Sequence, residues 1–230
     1  VAPRAAGGFV AALQDGFWVV GDGPAARIAA IPEAGPGLRF NDGKCDPAGR
    51  FWAGTMTYDA ALGAGALYRL DPDGQARMVL DEVTISNGLA WSLDGGTMYF
   101  IDTPTQRVDA FSFDGVTGEI GDRRPEIHLP PEAGAPDGMT IDAEGGLWIA
   151  LWGGAAVHRY LDGRLDQVIE LPVSQPTSCC FGGASLDELY VTSAREGLSA
   201  PRLRAEPLAG ALFRVRPGVR GLAPAVFADA

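Results

Sequence analysis

The chain lacks the features that membrane, secreted and nucleic-acid-binding proteins usually need. No apolar run approaches the roughly 20 residues that a helix needs to span a bilayer, and no basic segment followed by an apolar one opens the chain as a secretory signal would. Three cysteines, two of them adjacent, do not make a disulfide framework. Lysine and arginine total 18 against 29 acidic residues, giving a formal charge of -11, which disfavours nucleic acid and anionic membranes as partners. We therefore expect a cytoplasmic protein in a reducing compartment.

Several common catalytic and metal-binding motifs are missing as well. His128 and His158 form no His-x-x-x-His pair, and Cys179-Cys180 has no Cys-x-x-Cys partner, so a thiolate zinc site is disfavoured. Ser178 has no neighbouring acid or histidine in a nucleophile-elbow context, which disfavours a serine triad. Any hydrolytic chemistry in this chain should therefore depend on other groups.

The chain instead repeats one unit: a short apolar strand, a turn rich in Gly and Asp, and another strand. The 32 glycines have no collagen period and indicate many tight turns. Aromatic markers that follow these turns lie 47, 49 and 42 residues apart, at Trp52, Tyr99, Trp148 and Tyr190. A period of about 40–50 residues with several strands is typical of a β-propeller, whereas a β-sandwich, the alternative, does not explain the repeat. We predict an all-β propeller domain over residues 1–230 with five visible blades.

A polar motif in phase with the aromatic markers begins each innermost strand. It places Asp42, Asn87, Asp137 and Thr177 at equivalent positions, and such positions converge on the central axis of a propeller. Asp-Gly and Asn-Gly are also common turn dipeptides, but recurrence in phase favours a shared site. Carboxylate, amide and hydroxyl oxygens suit a hard or borderline divalent cation.

Longer stretches of the chain resemble the gluconolactonase and regucalcin family of sugar lactonases. The matching motifs cover nearly the whole chain and lie at residues 39–50 (RFNDGKCDPAGR), 53–56, 85–91, 136–139, 177–183 and 190–195. The resemblance implies a six-bladed β-propeller with one catalytic divalent cation (Ca, Zn, Mn or Mg) at the top of the channel.

The same resemblance implies a role for individual residues. Asn87 and Asp137 would bind the cation, and Asp137 would also be the catalytic base. Arg39 and Asn41 would contact substrate hydroxyls, and Asp59 is the best match to an acidic residue that helps to hold the sugar. Near a cation and Arg39, we expect Asp137 to be ionised at neutral pH.

One ligand of the family pattern has no counterpart in this sequence. The third protein ligand is a Glu in a motif near the start of the first blade, and Gly21-Asp22-Gly23-Pro24 only superficially resembles that motif. We therefore expect the first blade to be missing from these 230 residues and the Glu to lie upstream of Val1. Asp42 is the nearest replacement within the chain.

The function that this pattern favours is metal-dependent hydrolysis of a sugar lactone, of the gluconolactone or pentonolactone type, to the aldonic acid. The first alternative is a calcium-binding or scaffold propeller without catalysis. The second is a related propeller esterase or organophosphatase, although the Arg39–Asn41 pair favours a hydroxyl-rich substrate. Turnover with added metal separates the first alternative from the enzyme.

Overall fold

The computed structural model describes residues 1–32 and 34–229, and these residues form five antiparallel sheets. In each sheet, strands that follow one another in the chain are also neighbours in space. Blade 1 contains β1 (Ala2–Pro3), β2 (Phe9–Leu13), β3 (Gly16–Val20) and β4 (Ala26–Ala30). Blade 2 contains β5 (Leu38–Cys45), β6 (Phe51–Thr57), β7 (Gly65–Leu70) and β8 (Ala76–Val83).

The remaining three blades follow the same order. Blade 3 contains β9 (Ser86–Trp91), β10 (Thr97–Asp102), β11 (Arg107–Phe113) and β12 (Ile120–His128). Blade 4 contains β13 (Ala135–Ile141), β14 (Leu147–Trp152), β15 (Ala156–Leu161) and β16 (Arg164–Glu170). Blade 5 is three-stranded, with β17 (Pro176–Gly182), β18 (Glu188–Ser193) and β19 (Phe213–Val215), and helix α1 (Ala200–Ala205) precedes its last strand. The all-β propeller is confirmed; five blades are found among the described residues, where the resemblance implies six.

The hydrophobic core lies between neighbouring blades because the middle strands are buried on both faces. Every residue of β6 except the last is buried, and successive side chains of a strand point to opposite faces. Phe51 therefore packs against Phe17 of blade 1, with ring centroids 5.9 Å apart, whereas Trp52 packs against Trp91 of blade 3 at 6.0 Å. This packing explains why second strands such as β6 and β14 are buried along almost their whole length rather than on alternate residues.

A buried carboxylate joins the turn to the middle strands in blades 2 and 4. Asp46 and Asp142 are fully buried, and each accepts a hydrogen bond from the indole of the tryptophan six residues later, Trp52 or Trp148. In each blade an arginine on the third strand pairs with that tryptophan across the sheet. The recurring aromatic marker is therefore part of a repeated structural cluster.

The first strands of blades 2 to 5 pack against one another around the axis. After β19 the chain returns along the propeller, where Gly221 bridges to Asp142 of blade 4 and Phe227 bridges to Arg4 beside blade 1. Among the described residues no helix is long and apolar enough to cross a membrane.

Candidate metal and substrate site

The innermost strands of four blades all bulge at the polar motif. Strand pairing skips residues between Phe40 and Gly43, Ser86 and Leu89, Pro136 and Met139, and Pro176 and Ser178. A bulge bends its strand and turns side chains away from the regular ladder, and it is common beside functional sites. Asp42, Asn87, Asp137 and Thr177 therefore leave the regular pairing at corresponding places on four adjacent blades.

The glycines of these motifs serve close packing between blades. Gly88 and Gly138 lie inside strands β9 and β13, not in turns. A Cβ atom at Gly88 would lie 2.5 Å from Cβ of Met139, and one at Gly138 would lie 2.2 Å from Oγ of Ser178. The turn interpretation of these dipeptides is thus wrong here, because glycine is required by the approach of the next inner strand.

A chain of hydrogen bonds joins the predicted sugar-binding pair to a predicted cation ligand. Nη1 of Arg39 donates to Oδ1 of Asn41 at 2.7 Å. Nδ2 of Asn41 donates to the carbonyl of Ser86 at 2.8 Å and to Oδ1 of Asn87 at 3.1 Å. Both amide hydrogens of Asn41 are therefore used within the protein, and only its Oδ1 retains a lone pair for a substrate.

The series of hydrogen bonds continues from blade 3 to blade 4 through Thr103, a residue that no sequence motif singled out. Nδ2 of Asn87 donates to Oγ1 of Thr103 at 2.7 Å. Oγ1 of Thr103 lies 2.7 Å from the carbonyl oxygen of Pro136, to which it donates. Pro136 directly precedes Asp137, so two hydrogen bonds connect the side chain of one predicted ligand to the strand that carries the other.

The electrostatics around Asp137 favour its protonated form. Burial, assisted by the Asp42 carboxylate, raises the pKa of Asp137 to about 8, while the Gly138 amide and Arg39 act in the opposite direction. The expectation that Asp137 is ionised at neutral pH is therefore not met by the protein groups alone. Burial also raises the pKa of Asp42, against the opposing effects of Lys44 and the Gly43 amide.

Lys44 lies two residues after Asp42 on β5 and reaches the inner strand of blade 4. Its Nζ donates to the carbonyl of Met139 in blade 4 at 2.5 Å. Burial lowers the pKa of Lys44, and the Asp42 carboxylate opposes that effect. The sequence signal for Lys44 is its place in the family-like motif at residues 39–50, directly after Gly43.

The hydrogen bonds of Asp59 lie within its own loop and do not join it to Arg39 or Asn41. It is exposed, and hydrogen bonds from Thr57 and the Ala61 amide, within its own loop, help to lower the pKa of its carboxyl. The neighbouring Tyr58 contacts Arg39 instead, with the guanidinium carbon 6.0 Å from the ring centroid. The role of Asp59 in holding the sugar stays a prediction.

The two buried cysteines are not suited to bind a metal as thiolates. All three are free, and burial raises the pKa of Cys45 and Cys179 to about 12. Both thiols are therefore protonated and act as small apolar core residues, which agrees with the absence of a thiolate zinc motif.

The oxygen donors of Asn87 and Asp137 have the chemistry that a hard divalent cation prefers. These two residues alone are fewer ligands than such a cation needs. Oδ1 of Asn87 uses one lone pair for Asn41 and retains a second, and Asp137 would provide an anionic oxygen once a bound cation offsets the burial that raises its pKa. Within residues 1–32 and 34–229, no group of three or more His, Cys, Asp or Glu is arranged to hold a metal ion. The Glu ligand expected upstream of Val1 lies outside the described residues and stays a prediction.

The chain is similar to proteins of one family over almost its entire length. Residues 1–195 match the model of the SMP-30/gluconolactonase/LRE-like region. Human regucalcin is 44% identical over 238 residues, covering 99% of this chain and 80% of the relative. The structure of regucalcin from Agrobacterium tumefaciens, described as a calcium-binding protein, has 33% identity and a TM-score of 0.93, covering 98% of this chain and 78% of that one. The structure of a gluconolactonase from Xanthomonas campestris has 27% identity and a TM-score of 0.64, covering 80% and 64%. This chain therefore belongs to the SMP-30/gluconolactonase/LRE-like family.

Proposed function

We propose that the protein hydrolyses a sugar lactone of the gluconolactone or pentonolactone type to the aldonic acid, with the help of one divalent cation. The observation that carries this proposal is the hydrogen-bonded chain from Arg39 to Pro136. It joins a pair suited to sugar hydroxyls with the amide of Asn87 and with the strand that carries Asp137. Membership of the family and the similarity to a named gluconolactonase support the same reaction class.

The chemistry requires no covalent nucleophile because a lactone is an activated ester. Water adds to the carbonyl carbon, the ring C–O bond breaks, and the ring oxygen leaves as a hydroxyl group after it receives a proton. When bound by Asn87 and Asp137, the cation supplies Lewis acidity to the carbonyl. Asp137 accepts a proton from the attacking water at a carboxylate oxygen and can return it to the leaving oxygen.

Arg39 has the donors that recognition of a hydroxyl-rich substrate needs. Its Nη1 is held by Asn41 and by the Phe40 carbonyl, which fixes the plane of the guanidinium. Nε and Nη2 have no hydrogen-bond partner among the described residues and can donate to substrate oxygens. A planar fork of donors suits neighbouring hydroxyl groups. The Tyr58 ring beside the guanidinium adds an apolar surface to this part of the site.

A calcium-binding propeller without catalysis is the second candidate, because the similar Agrobacterium protein is described as calcium-binding. The two candidates share the cation site and differ in turnover. For either candidate we propose a cytoplasmic, reducing location, because the three cysteines are free.

The test is hydrolysis of glucono-δ-lactone and of a pentonolactone by metal-stripped protein, with Ca²⁺, Zn²⁺, Mn²⁺ or Mg²⁺ added back and spontaneous hydrolysis subtracted. We expect turnover that depends on the cation. Asp137→Asn should lower kcat about 100-fold or more, the usual scale for a general base.

Asp94→Asn is the matched control, because Asp94 lies in the exposed turn between β9 and β10 and should leave kcat unchanged. Cation binding without turnover on any lactone would favour the calcium-binding alternative. Unchanged kcat and unchanged cation affinity in Asp137→Asn would show that Asp137 has neither role.

A further inference from the structure

Thr103 lies outside every motif that the sequence shares with the family, yet its position is tightly held. It begins a 3-10 turn, Thr103–Thr105, directly after β10. The carboxylate of Asp102 accepts hydrogen bonds from the amides of Thr84 and Ile85, and the amide of Thr103 donates to the carbonyl of Ile85. The hydroxyl of Thr103 is thereby placed between β9 and β13.

The hydrogen-bond partners of Thr103 determine which way the Asn87 amide points. The carbonyl of Pro136 can only accept, so the single hydroxyl hydrogen of Thr103 is directed to it. Oγ1 of Thr103 can then only accept from Asn87, at 2.7 Å, so Asn87 must present its NH2 group to Thr103. Oδ1 of Asn87 is consequently turned toward Asn41.

The other end of this series of hydrogen bonds, at Arg39, independently imposes the same orientation on the Asn87 amide. Arg39 can only donate and the carbonyl of Ser86 can only accept, so Asn41 must present Oδ1 to Arg39 and NH2 to blade 3. A reversed Asn87 amide would set two NH2 groups against each other at 3.1 Å. The orientation of Asn87 therefore follows from donors and acceptors that cannot exchange roles.

From this geometry we infer that Thr103 is a positioning residue for the cation site: its hydroxyl holds the Asn87 oxygen toward the cation and ties Asn87 to the strand of Asp137. The inference rests on the proposed function, because it uses the proposed cation ligands. Thr103→Val removes the acceptor for Asn87 and the donor to Pro136 while keeping the shape of the side chain. Partners that orient a metal ligand typically contribute about 10–100-fold to metal affinity.

The experiment is calorimetric titration of the metal-free full chain with CaCl2, repeated with MnCl2. Thr103→Val should weaken cation affinity about 10–100-fold, whereas Thr103→Ser, which keeps the hydroxyl, should stay within about threefold of the wild type. Thr105→Val is the matched control in the same turn, because Oγ1 of Thr105 donates to the carbonyl of Asp102 and not to the site. It should also retain wild-type affinity.

Each other outcome has a definite meaning. Wild-type affinity in Thr103→Val, equal losses in Thr103→Val and Thr105→Val, or an equal loss in Thr103→Ser would each overturn the role of the hydroxyl. If the valine variant does not fold, Thr103→Ala and Thr103→Ser are compared instead, with the same expectations. If Asn87→Ala binds the cation as tightly as the wild type, the proposed cation site is overturned, and the inference with it.

Discussion

Asp142 should be one of the most important carboxylates for the stability of the fold, because four donors converge on it in a fully buried position. Oδ2 accepts from the indole Nε1 of Trp148 and from Nε of Arg159, each at 2.7 Å. Oδ1 accepts from the amides of Glu144 and Gly146, each at 2.9 Å. Asp142→Asn keeps the size of the side chain but replaces one oxygen with an NH2 group that must face two donors.

The expected loss follows from the partners that remain. Removing one member of a buried ion pair typically destabilises a protein by about 3–5 kcal/mol. Arg159 retains Glu144 and Asp166 as partners, so the lower end of that range applies. We expect Asp142→Asn to reduce the free energy of unfolding by about 3 kcal/mol at pH 7.

The loss of unfolding free energy in Asp142→Asn should also depend on pH. Burial raises the pKa of Asp142, but hydrogen bonds from Arg159, Trp148 and the two amides outweigh it and leave the pKa below its ordinary value. A carboxyl with a lowered folded-state pKa stabilises the fold fully above its unfolded-state pKa, near 3.9, and loses that contribution as the pH falls through the folded value. The difference between wild type and Asp142→Asn should therefore be complete at pH 7 and shrink below about pH 4.

Urea unfolding followed by tryptophan fluorescence at pH 7, 5 and 3.5 measures this difference, provided that the m-values agree. Asp94→Asn is the control, since Asp94 accepts from Ser92 and the Gly96 amide in an exposed turn, and its midpoint should match the wild type. A deficit below about 1 kcal/mol at pH 7, close to the scale of surface substitutions, would refute the reasoning. So would an undiminished deficit at pH 3.5.

Two further predictions concern the site. Arg39→Ala should mainly raise KM for the lactone, because it removes sugar contacts made in both the ground and transition states; a large fall in kcat at unaltered KM would show that Arg39 acts on developing charge. Gly88→Ala should lower stability by about 1–3 kcal/mol, the usual cost of overpacking, in thermal unfolding. Gly23→Ala, where a Cβ meets nothing within 4 Å, should not, and equal effects would contradict the close-packing role.

The blades could be predicted from the sequence because each blade is a local unit. Turn residues and apolar runs alternate within each repeat, so the aromatic markers fall on the second strands β6, β10, β14 and β18. The polar motifs could be placed on the innermost strands because they recur in phase with the aromatic markers. These features depend on residues close in the chain, which is what a repeat pattern records.

The contacts across the channel could not be predicted in this way. The bond from Lys44 to Met139 joins residues 95 positions apart, and that from Thr103 to Pro136 joins residues 33 apart. A threonine in a turn carries no recurring signal. Asp-Gly was equally ambiguous, because a turn and a close approach of two strands both require glycine. Similarly, nothing in the Tyr58-Asp59 stretch showed that the aromatic residue rather than the acid contacts Arg39.

The candidate site is built across the seams between blades, so its geometry depends on how the blades pack. Arg39 and Asn41 belong to blade 2, Asn87 to blade 3 and Asp137 to blade 4. The hydrogen bond from Asn41 to Asn87 and that from Thr103 to Pro136 each cross a seam. The distance between two seam partners is set by the approach of neighbouring inner strands, which Gly88 permits only because it has no Cβ. A substitution that separates two blades by a few tenths of an ångström would leave each sheet intact and still pull the donors apart. Cation affinity should therefore respond to packing changes at the seams that hardly alter the strand content, and circular dichroism alone would miss them.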